Sequence, residues 1–405
     1  MHADIIIVGA GMVGSALALA LKDSGLDILL VDGASLDARP FDPAAPFEPR
    51  VSALSAASRN LLQGLGAWPG IQARRCSPYA HMQVWDGSGT GQIRFSAASV
   101  HAEVLGHIVE NRVVQDALLD CLRDGPVRLL DQARVERLQQ GEAGWRVSLA
   151  DGRELQAPLL VAADGANSAV RRMTGCETRE WDYFHHAIVT SVRCAEEHGL
   201  TAWQRFTDDG PLAFLPLDRD GDRHWCSIVW SCIPDEAERL MALDEQTFRT
   251  ELGKAFEHRL GEVLEVDPRV CIPLRQRHAK RYIAPGLALI GDAAHVIHPL
   301  AGQGVNLGFL DAGVLAEELL KAHGRGEPLA SERVLARFER RRMPYNLAMM
   351  ASMEGFERLF QANLPALRWL RNAGLRLADR HHLLKSLFVR QALGLEGDLP
   401  ELARG

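Results

Sequence analysis

The start of the chain places an apolar helical pattern between two short apolar runs. Residues 4–8 read DIIIV and residues 27–32 read DILLVD, and each run has the length and composition of a buried strand. Between them, residues 15–25 read SALALALKDSG, which predicts an apolar helix closed by Gly25. A strand, a helix and a second strand in this order predict a βαβ unit with a parallel sheet.

Elsewhere the chain changes between period-two alternation and helical spacing. Alternation with intervening turn residues predicts strands in three segments: 76–110, 127–161 and 180–275. Apolar residues at helical spacing predict helices in four segments: 50–65, 110–123, 234–260 and the region beyond 330. Two further apolar runs, at 159–163 and 287–290, predict buried strands like the first two. We therefore expect an α/β protein.

The order of these segments predicts a discontinuous nucleotide-binding domain with a mainly β second domain inserted into it. The expected boundaries are 1–75, 110–178 and 275–330 for the nucleotide-binding domain, 76–109 and 179–274 for the β-rich domain, and 331–405 for a C-terminal helical region.

Composition narrows the class of protein. The chain has 405 residues, of which 47% are hydrophobic and 24% charged, as in globular proteins of two or three domains. Its net charge of −7 disfavours a general nucleic-acid role. Neither a membrane-spanning helix nor a signal peptide is expected, because apolar runs are short and the chain begins with a strand pattern. The seven cysteines contain no Cys-x-x-Cys pair, which favours reduced thiols in the cytoplasm.

A glycine motif joins the first strand to its helix. Gly9, Gly11 and Gly14 follow the first apolar run in the Gly-x-Gly-x-x-Gly pattern, and Asp32 ends the second strand. The first glycine makes the turn, the second lets a pyrophosphate approach, and the third packs the helix on the strand. The acid is placed to bind a ribose hydroxyl. The βαβ setting favours a dinucleotide over an ordinary turn, but it does not separate FAD from NAD.

Two more glycine turns follow buried strands. Asp164 and Gly165 begin the sequence DGANSAVR, which ends at Arg171 and does not match the phosphate motif. Gly291 and Asp292 begin GDAAHVIHPLAGQGVNLG, which leads into a helix. Amide groups at a helix start carry partial positive charge and suit an anionic or electron-rich ligand. An ordinary strand-loop-helix connection explains one glycine but not this density of special residues.

Together the three turns resemble those of the class A flavoprotein aromatic hydroxylases, whose prototype is para-hydroxybenzoate hydroxylase. In that family the first motif binds the ADP part of FAD, the Asp-Gly motif serves FAD and the nicotinamide donor, and the Gly-Asp motif meets the ribityl chain. The resemblance implies FAD as cofactor. It also implies a Rossmann-like FAD-binding domain, an inserted mainly β substrate domain and a C-terminal helical region.

The third turn is further similar to that of the ubiquinone-biosynthesis hydroxylases, and other stretches resemble the bacterial 2-polyprenylphenol 6-hydroxylase subfamily. Those stretches are RVSALSAAS (50–58), VWDGSG (84–89), LGHIVEN (105–111), ADGANS (163–168), WDYFHHA (181–187), LAFLPL (212–217), CSIVWS (226–231) and RQALGLEGDLPE (390–401). They are spread over essentially the whole chain. Sister enzymes that hydroxylate other ring positions share these motifs and stay open as alternatives.

The resemblance implies a monooxygenase reaction on a polyprenylphenol. NAD(P)H would reduce FAD, the reduced flavin would react with O₂ to give a flavin hydroperoxide, and one oxygen atom would pass to the aromatic ring. The residues implied nearest this chemistry are Pro299, Gly302, Gln303 and Gly304, because the backbone amides of this loop and helix start suit the anionic reduced flavin.

The resemblance also implies a set of cofactor contacts. They are Gly9, Gly11, Gly14, Asp32, Arg50, Arg112, Gln115, Asp164, Gly165, Arg171, Gly291, Asp292, Gly304, Val305 and Asn306, with Asn306 facing the flavin pyrimidine edge. By position alone, Arg50, Arg112 and Gln115 are equally well explained as surface residues at helix starts. The spacing of Asp292, His295 and His298 also permits a metal site. We expect no metal, because the flavin accounts for the glycines and proline around them.

Two features concern the substrate and partners. A prenylated phenol needs an apolar channel, and four aromatic residues are expected either to line it or to be ordinary core: Phe206, Phe214, Trp225 and Trp230. Between Gly355 and Leu393, seven Lys and Arg residues stand against two acids. This segment is either a contact with a membrane surface or partner protein, which would place the protein peripherally at the inner membrane, or a helical cap on the core.

Three other functions stay open. They are a nicotinamide dehydrogenase without flavin, a flavin reductase of isoprenoid double bonds, and a non-catalytic assembly factor of a quinone-synthesis complex. The second and third glycine turns argue against the first of these, and the intact cofactor motifs argue against the last.

Overall fold

The structure is a computed structural model that describes residues 1–87, 89–297, 304–361 and 393–404, with only the backbone described at 356–361. Its helices are α1 Met12–Leu21, α2 Ala56–Gly64, α3 Trp68–Gln72, α4 Asn111–Arg123, α5 Ala169–Met173, α6 Pro234–Ala242, α7 Glu245–Ala255, α8 Gly304–Gly324, α9 Glu332–Gln361 and α10 Glu401–Arg404. Short 3₁₀ helices lie at Ala97–Val100 and Gly291–Ala293.

The strands fall into two groups along the chain. The first are β1 Ile5–Val8, β2 Ile28–Val31, β3 Val51–Leu54, β4 Ser77–Tyr79, β5 His81–Asp86, β6 Gln92–Ser96, β7 Gly106–Glu110, β8 Arg128–Leu130, β9 Val135–Gly141, β10 Gly144–Leu149, β11 Glu154–Ala157 and β12 Leu159–Ala162. The second are β13 Thr178–Cys194, β14 Thr201–Thr207, β15 Gly210–Arg219, β16 Asp222–Cys232, β17 Val263–Val266, β18 Val270–Ala279, β19 Ile283–Ala284, β20 Leu287–Leu289 and β21 His295–Val296.

A six-stranded sheet forms the centre of the molecule, in the order β19-β20-β12-β1-β2-β8. All neighbours are parallel except β19 and β20. Strands β1, β2 and β12 are buried along their whole length, as continuous apolar runs predict for a covered parallel sheet. Helix α1 packs against the sheet, and a small sheet, β11-β10-β9, contacts it too. The carboxyl ends of β1, β12 and β20 are therefore neighbours, and the three glycine turns follow them.

The second large sheet contains nine strands, in the order β21-β18-β13-β16-β15-β14-β5-β6, with β17 paired to β13. Helices α6 and α7 pack against it, and Phe214 of β15 stacks on Phe256 with ring centroids 3.6 Å apart. Its edge strand β21 comes from the third glycine turn, with His295 opposite His278 of β18. The third turn therefore belongs to both sheets. The expected α/β fold class is confirmed.

Two predicted helices differ from the structure. The segment 50–65 was expected to be one helix, but Val51–Leu54 is a strand paired with β7, and the helix begins only at Ala56. Ser55 ends the strand and caps the helix, since its side chain accepts a hydrogen bond from the backbone N–H of Ser58. The segment 234–260 contains α6 and α7 rather than one helix, because Asp244 caps a new helix after Leu243.

Helix α9 runs across the molecule and contacts several parts of it. Phe338 is buried in the main core, Met350 packs with Ile297 and Leu307, and Met353 lies against a cluster that contains Phe206 of the large sheet. The side chains of nearly all of the basic segment expected between 355 and 393 lie outside the described residues. In the described part of the chain, no helix combines the length and apolar character needed to cross a membrane.

Candidate active site

The first glycine turn is shaped by close backbone contacts at two positions and by open space at a third. A Cβ on Gly9, whose φ is +105°, would lie 2.4 Å from the carbonyl oxygen of Ala163, and a Cβ on Gly14 would lie 1.9 Å from the carbonyl oxygen of Gly9. A Cβ on Gly11 would meet no described atom within 4 Å. The protein itself therefore requires glycine at two positions, whereas Gly11 borders a space that suits a phosphate group.

Asp32 and Gln115 both hold the peptide of Ala10 inside this turn. The Asp32 carboxylate accepts hydrogen bonds from the backbone N–H groups of Ala10 (2.7 Å) and Ala34 (2.8 Å), and Gln115 Nε2 donates to the Ala10 carbonyl (2.9 Å). Two carboxylate oxygens can accept about four hydrogen bonds, so Asp32 keeps capacity for a ribose hydroxyl. The structure thus brings Gln115, 105 residues along the chain from Ala10, to the turn where a dinucleotide would bind.

The second turn is held by its own aspartate. Asp164 accepts hydrogen bonds from Ser168 Oγ (2.5 Å) and from the backbone N–H groups of Ala169 (2.7 Å) and Val170 (3.1 Å) at the start of α5. The carboxylate therefore orders the turn and complements the positive end of the helix. Gly165 has a φ of +78° and faces open space, so the backbone of the turn is accessible to a ligand.

Arg171 connects the second turn to the third. Its side chain is buried, and its guanidinium donates to the carbonyl oxygens of Ala293 (2.7 Å) and Ala166 (2.8 Å). Burial lowers the pKa of Arg171, and Arg277 nearby acts in the same direction. Because the guanidinium is committed to backbone carbonyls, Arg171 fixes the relative position of the two turns.

The third turn approaches α1 and α8 closely. Gly291 has a φ of +57°, and a Cβ there would lie 3.1 Å from the Val13 side chain. A Cβ on Gly308 would lie 2.6 Å from Val13 and 3.2 Å from the Cα of Gly291. The two glycines let α8 pass directly beside the turn. As a result, the start of α8 at Gly304 and Val305 lies near the Gly-Asp motif.

Asp292 has the properties of a ligand-binding carboxylate. It is partly buried and accepts no hydrogen bond from any residue in the described part of the chain. Burial raises the pKa of Asp292, while His295 and Arg50 nearby act in the opposite direction. A carboxylate without a donor is costly in such a place, so a hydroxyl-bearing ligand would stabilise it. Arg50 is thereby placed within electrostatic reach of the site.

Two predicted contacts already have protein partners. Arg112 is partly exposed and pairs with Glu48 (3.1 Å) and Asp116 (3.6 Å). Asn306 is buried; its Oδ1 accepts from the backbone N–H of Ser55 and from Ser58 Oγ, and its Nδ2 donates to the Ala53 carbonyl. One amide hydrogen of Asn306 is left for a ligand. The other hydrogen bonds of the Asn306 side chain connect α8 to β3 and α2.

The remaining predictions divide into those outside the described residues and those within the core. Four residues of the segment 298–303 lie outside: His298, Pro299, Gly302 and Gln303. His295 donates to, or shares a proton with, Asp311 at 2.6 Å, and the described residues contain no cluster of three or more potential metal ligands. Of the four aromatic residues expected near a channel, Phe214, Trp225 and Trp230 are buried in the cores of the large sheet, and Phe206 lies beside α9.

A buried polar cluster that the sequence did not predict lies next to the third turn. It contains Asp311 of α8 and Arg342 and Asn346 of α9, with exposures of 0%, 1% and 0%. The available signal was a single acid inside an apolar helix (NLGFLDAGVL) followed by polar residues in α9. A charged residue buried in an apolar helix requires a partner of opposite charge, and the sequence alone does not identify that partner.

These features form a candidate dinucleotide site at the carboxyl edge of the central sheet. The open space at Gly11 could take a pyrophosphate, Asp32 could accept a hydrogen bond from a ribose hydroxyl, and Asp292 could accept one from a ribityl hydroxyl. The residues present therefore fit FAD. The architecture around them is that of the para-hydroxybenzoate hydroxylase type.

Known proteins support this assignment. A family model described as FAD binding domain matches residues 2–352. The 3-demethoxyubiquinol 3-hydroxylase of Escherichia coli is 42% identical over 97% of this chain and 98% of its own length. Ubiquinone hydroxylase UbiL of Rhodospirillum rubrum is 36% identical over 100% of this chain and 93% of its own. The structure of p-nitrophenol 4-monooxygenase PnpA from Pseudomonas putida DLL-E4 has the same fold, with a TM-score of 0.76 over 98% of both chains and 22% identity.

The chain therefore belongs to the FAD-binding-domain family, in the class A flavin-dependent monooxygenases of the ubiquinone-pathway branch. The family resemblance, the FAD cofactor and the monooxygenase class predicted from the three turns are confirmed.

Proposed function

We propose that this protein hydroxylates the aromatic ring of a polyprenylated phenol in ubiquinone biosynthesis, with NAD(P)H as electron donor and O₂ as the source of oxygen. The observation that carries this proposal is a three-turn FAD site in a chain that is 42% identical to a ubiquinone-pathway hydroxylase over 97% of its length. NAD(P)H is the donor typical of the family.

Bound FAD would supply the transfer of electrons from the nicotinamide donor to O₂ and the delivery of one oxygen atom to the ring. The residues of the chain bind and orient the reactants. Gly9, Gly11 and Gly14 hold the pyrophosphate end, and Asp292 accepts a hydrogen bond from the ribityl chain. The amide groups at the start of α8 favour negative charge on the flavin ring. Ile297, Leu307 and Met350 pack together into an apolar cluster, which would restrict water on this side of the site.

Two ring positions are candidates. The short motifs favour 2-polyprenylphenol and position 6. The similarity to 3-demethoxyubiquinol 3-hydroxylase favours position 3 of a later, methoxylated intermediate. We give more weight to the second, because that identity extends over the whole chain, whereas the motifs are shared by the branch.

Mass analysis of lipid extracts from cells that lack this protein distinguishes the candidates. Loss of a position-3 enzyme is expected to accumulate a methoxylated polyprenyl intermediate without the final ring hydroxyl, and loss of a position-6 enzyme to accumulate a polyprenylphenol without ring hydroxyls. Re-expression of the protein should remove the intermediate. Unchanged ubiquinone and no accumulated intermediate would contradict the proposed pathway. An unsaturated isoprenoid tail that fails to be reduced would favour the reductase alternative.

We further propose that the basic C-terminal segment contacts an anionic membrane surface or an acidic partner protein, because the substrate carries an apolar prenyl chain. Changing Arg368, Arg371 and Arg376 to Glu is expected to reduce co-sedimentation with vesicles of anionic lipid several-fold at low salt. The matched control reverses three arginines in the β-rich domain: Arg223, Arg239 and Arg259. Equal binding by both variants and the unsubstituted protein would contradict a role for this segment.

A further inference from the structure

A continuous network of buried polar side chains lies directly behind the third glycine turn. Asp311 Oδ2 accepts hydrogen bonds from the backbone N–H of Gly291 (3.1 Å) and from His295 Nε2 (2.6 Å). Asp311 Oδ1 accepts from Arg342 Nε (2.8 Å) and Asn346 Nδ2 (3.1 Å). The carboxylate is completely buried and has two donors at each oxygen, so its acceptor capacity is fully used.

The network extends beyond Asp311 in both directions. Asn346 Oδ1 accepts from Arg342 Nη2 (2.8 Å), and Asn346 Nδ2 also lies 3.3 Å from the Tyr282 hydroxyl. That hydroxyl pairs with His278 Nε2 at 3.0 Å. Burial lowers the pKa of His278 to about 4, so this imidazole is neutral at physiological pH and can accept the hydroxyl proton. The chain of hydrogen bonds therefore joins β18 of the large sheet, α8, α9 and the Gly-Asp turn.

The charges of the network are balanced at its centre. Burial alone would raise the pKa of Asp311, but His295 and Arg342 hold it well below its usual range. The carboxylate is thus ionised, and Arg342, which is 1% exposed, neutralises it. Separating the two side chains would leave a buried charge without a partner, which is strongly unfavourable. The ion pair therefore holds Asp311 and Arg342 in fixed positions.

Two of the four donors to Asp311 belong to the segment that carries Asp292. Gly291 precedes Asp292 and His295 follows it by three residues, and both are tied to the same carboxylate. Asp292 itself has no hydrogen-bond donor in the described part of the chain, so its position depends on how its neighbours are held.

We propose that Asp311 is a positioning residue for the cofactor: it fixes the turn from Gly291 to His295 and thereby aims the Asp292 carboxylate at the ribityl chain of FAD. Arg342 and Asn346 hold Asp311 from α9, so the C-terminal helix supports the flavin site without touching the flavin. The inference rests on FAD at this site and does not depend on which phenol is the substrate.

The substitution Asp311→Asn tests this assignment, because it keeps the side-chain shape and replaces one acceptor oxygen by an N–H donor. Wherever the amide nitrogen lies, it faces donors that previously met an oxygen. We expect FAD to bind about tenfold more weakly or worse. The measurement is a dilution series of the purified holoenzyme, in which released FAD is detected by its recovered fluorescence. The visible circular dichroism of the bound flavin should change as well.

Glu318→Gln is the matched control. Glu318 lies on the same helix, is buried, and also pairs with two arginines of α9, Arg337 (3.0 Å) and Arg341 (2.9 Å). If Asp311 serves only to pack α8 against α9, both variants should lose Tm and FAD affinity in parallel. A positioning role predicts a loss of FAD affinity for Asp311→Asn alone. Equal FAD affinity in Asp311→Asn and the unsubstituted holoenzyme would overturn the proposal.

A second pair of variants covers the case in which Asp311→Asn does not fold. His295→Gln retains an N–H donor toward Asp311, whereas His295→Leu removes it. We expect His295→Leu to weaken FAD binding about tenfold and His295→Gln to restore most of that loss. Equal FAD affinity in the two variants would show that the bond to Asp311 does not position the turn. Because the readout is FAD binding, a failure of the proposed substrate would leave these results unaffected.

Discussion

A Gly14→Val protein is expected to purify without bound FAD and with greatly reduced stability. The first added carbon would lie 1.9 Å from the carbonyl oxygen of Gly9, and a second neighbour, the Ala163 side chain, is only 3.1 Å away. The carbonyl of Gly9 is backbone that cannot move aside, and Ala163 closes the other side, so α1 must shift from β1. We expect a cost of about 3 kcal/mol or more in the free energy of unfolding, which urea denaturation measures.

Gly11→Ala tests FAD binding at the same turn with little expected effect on stability. The added methyl meets no described protein atom within 4 Å, and the φ of −68° at Gly11 is one that alanine adopts freely. Stability without FAD should therefore change by less than about 1 kcal/mol. If the open space takes the pyrophosphate, FAD affinity should fall by about a hundredfold, which corresponds to roughly 2.7 kcal/mol. The flavin-to-protein absorbance ratio after purification measures the effect.

The two variants separate a cofactor site from a structural turn. Normal FAD binding by Gly11→Ala would contradict the placement of the pyrophosphate at Gly11. Restoration of ubiquinone synthesis by Gly14→Val protein in deletion cells would support the assembly-factor alternative, since that role requires the chain but not the flavin.

The features that the sequence predicts well are those determined over short distances. The βαβ unit and the role of Gly14 follow from contacts within one strand-turn-helix segment, and the structure places Asp32 at that turn as expected. At Gly9 the turn is the predicted one, but the backbone that excludes a side chain belongs to Ala163, far along the chain. Parallel neighbours in the sheet also bring the second and third turns beside the first. Continuous apolar runs indicate buried parallel strands, although they do not state the strand order.

The features that the sequence does not predict depend on partners far along the chain. Val51–Leu54 has helical spacing and is nevertheless a strand, because it pairs with β7 more than fifty residues later. Asp311 meets Arg342 and Asn346 across 31 and 35 residues, and an acid within an apolar helix does not name its partner. Phe214 and Trp230 illustrate the same limit. Both suit a channel wall by residue type, yet they face α6 and α7 in the core.

An Asp292→Ala protein is expected to be at least as stable as the unsubstituted chain in the absence of FAD and yet to bind FAD poorly. Removal of Asp292 breaks no hydrogen bond in the described part of the chain and removes a carboxylate from a partly buried position. With FAD present, the variant lacks the acceptor for a ribityl hydroxyl. A hydrogen bond to a charged group contributes about 1.5–3 kcal/mol, so FAD affinity should fall by about ten- to a hundredfold.

The stability that Asp292→Ala gains over the unsubstituted protein should increase with pH. Burial raises the pKa of Asp292 in the folded protein above its ordinary value of 3.8. Below that ordinary value the carboxyl is protonated in both the folded and unfolded states and has no effect on their balance. As pH rises through the raised pKa, ionisation increasingly destabilises the folded state. The advantage of Asp292→Ala should therefore be absent in acid and grow toward neutral pH, as urea denaturation of the FAD-free proteins would show.

Asp244→Ala is a control at the start of α7, where the pKa of the carboxyl is lowered rather than raised. Hydrogen bonds from the side chain and backbone of Thr247 lower the pKa of Asp244, so its carboxylate stabilises the folded protein at neutral pH and loses that effect as pH falls through its lowered pKa. Asp244→Ala should destabilise the protein at neutral pH and leave FAD affinity unchanged. If Asp292→Ala behaved in the same way, Asp292 would be a structural carboxylate. If Asp292→Ala is instead more stable but loses FAD binding and quinone synthesis, Asp292 destabilises the fold and is required by the cofactor.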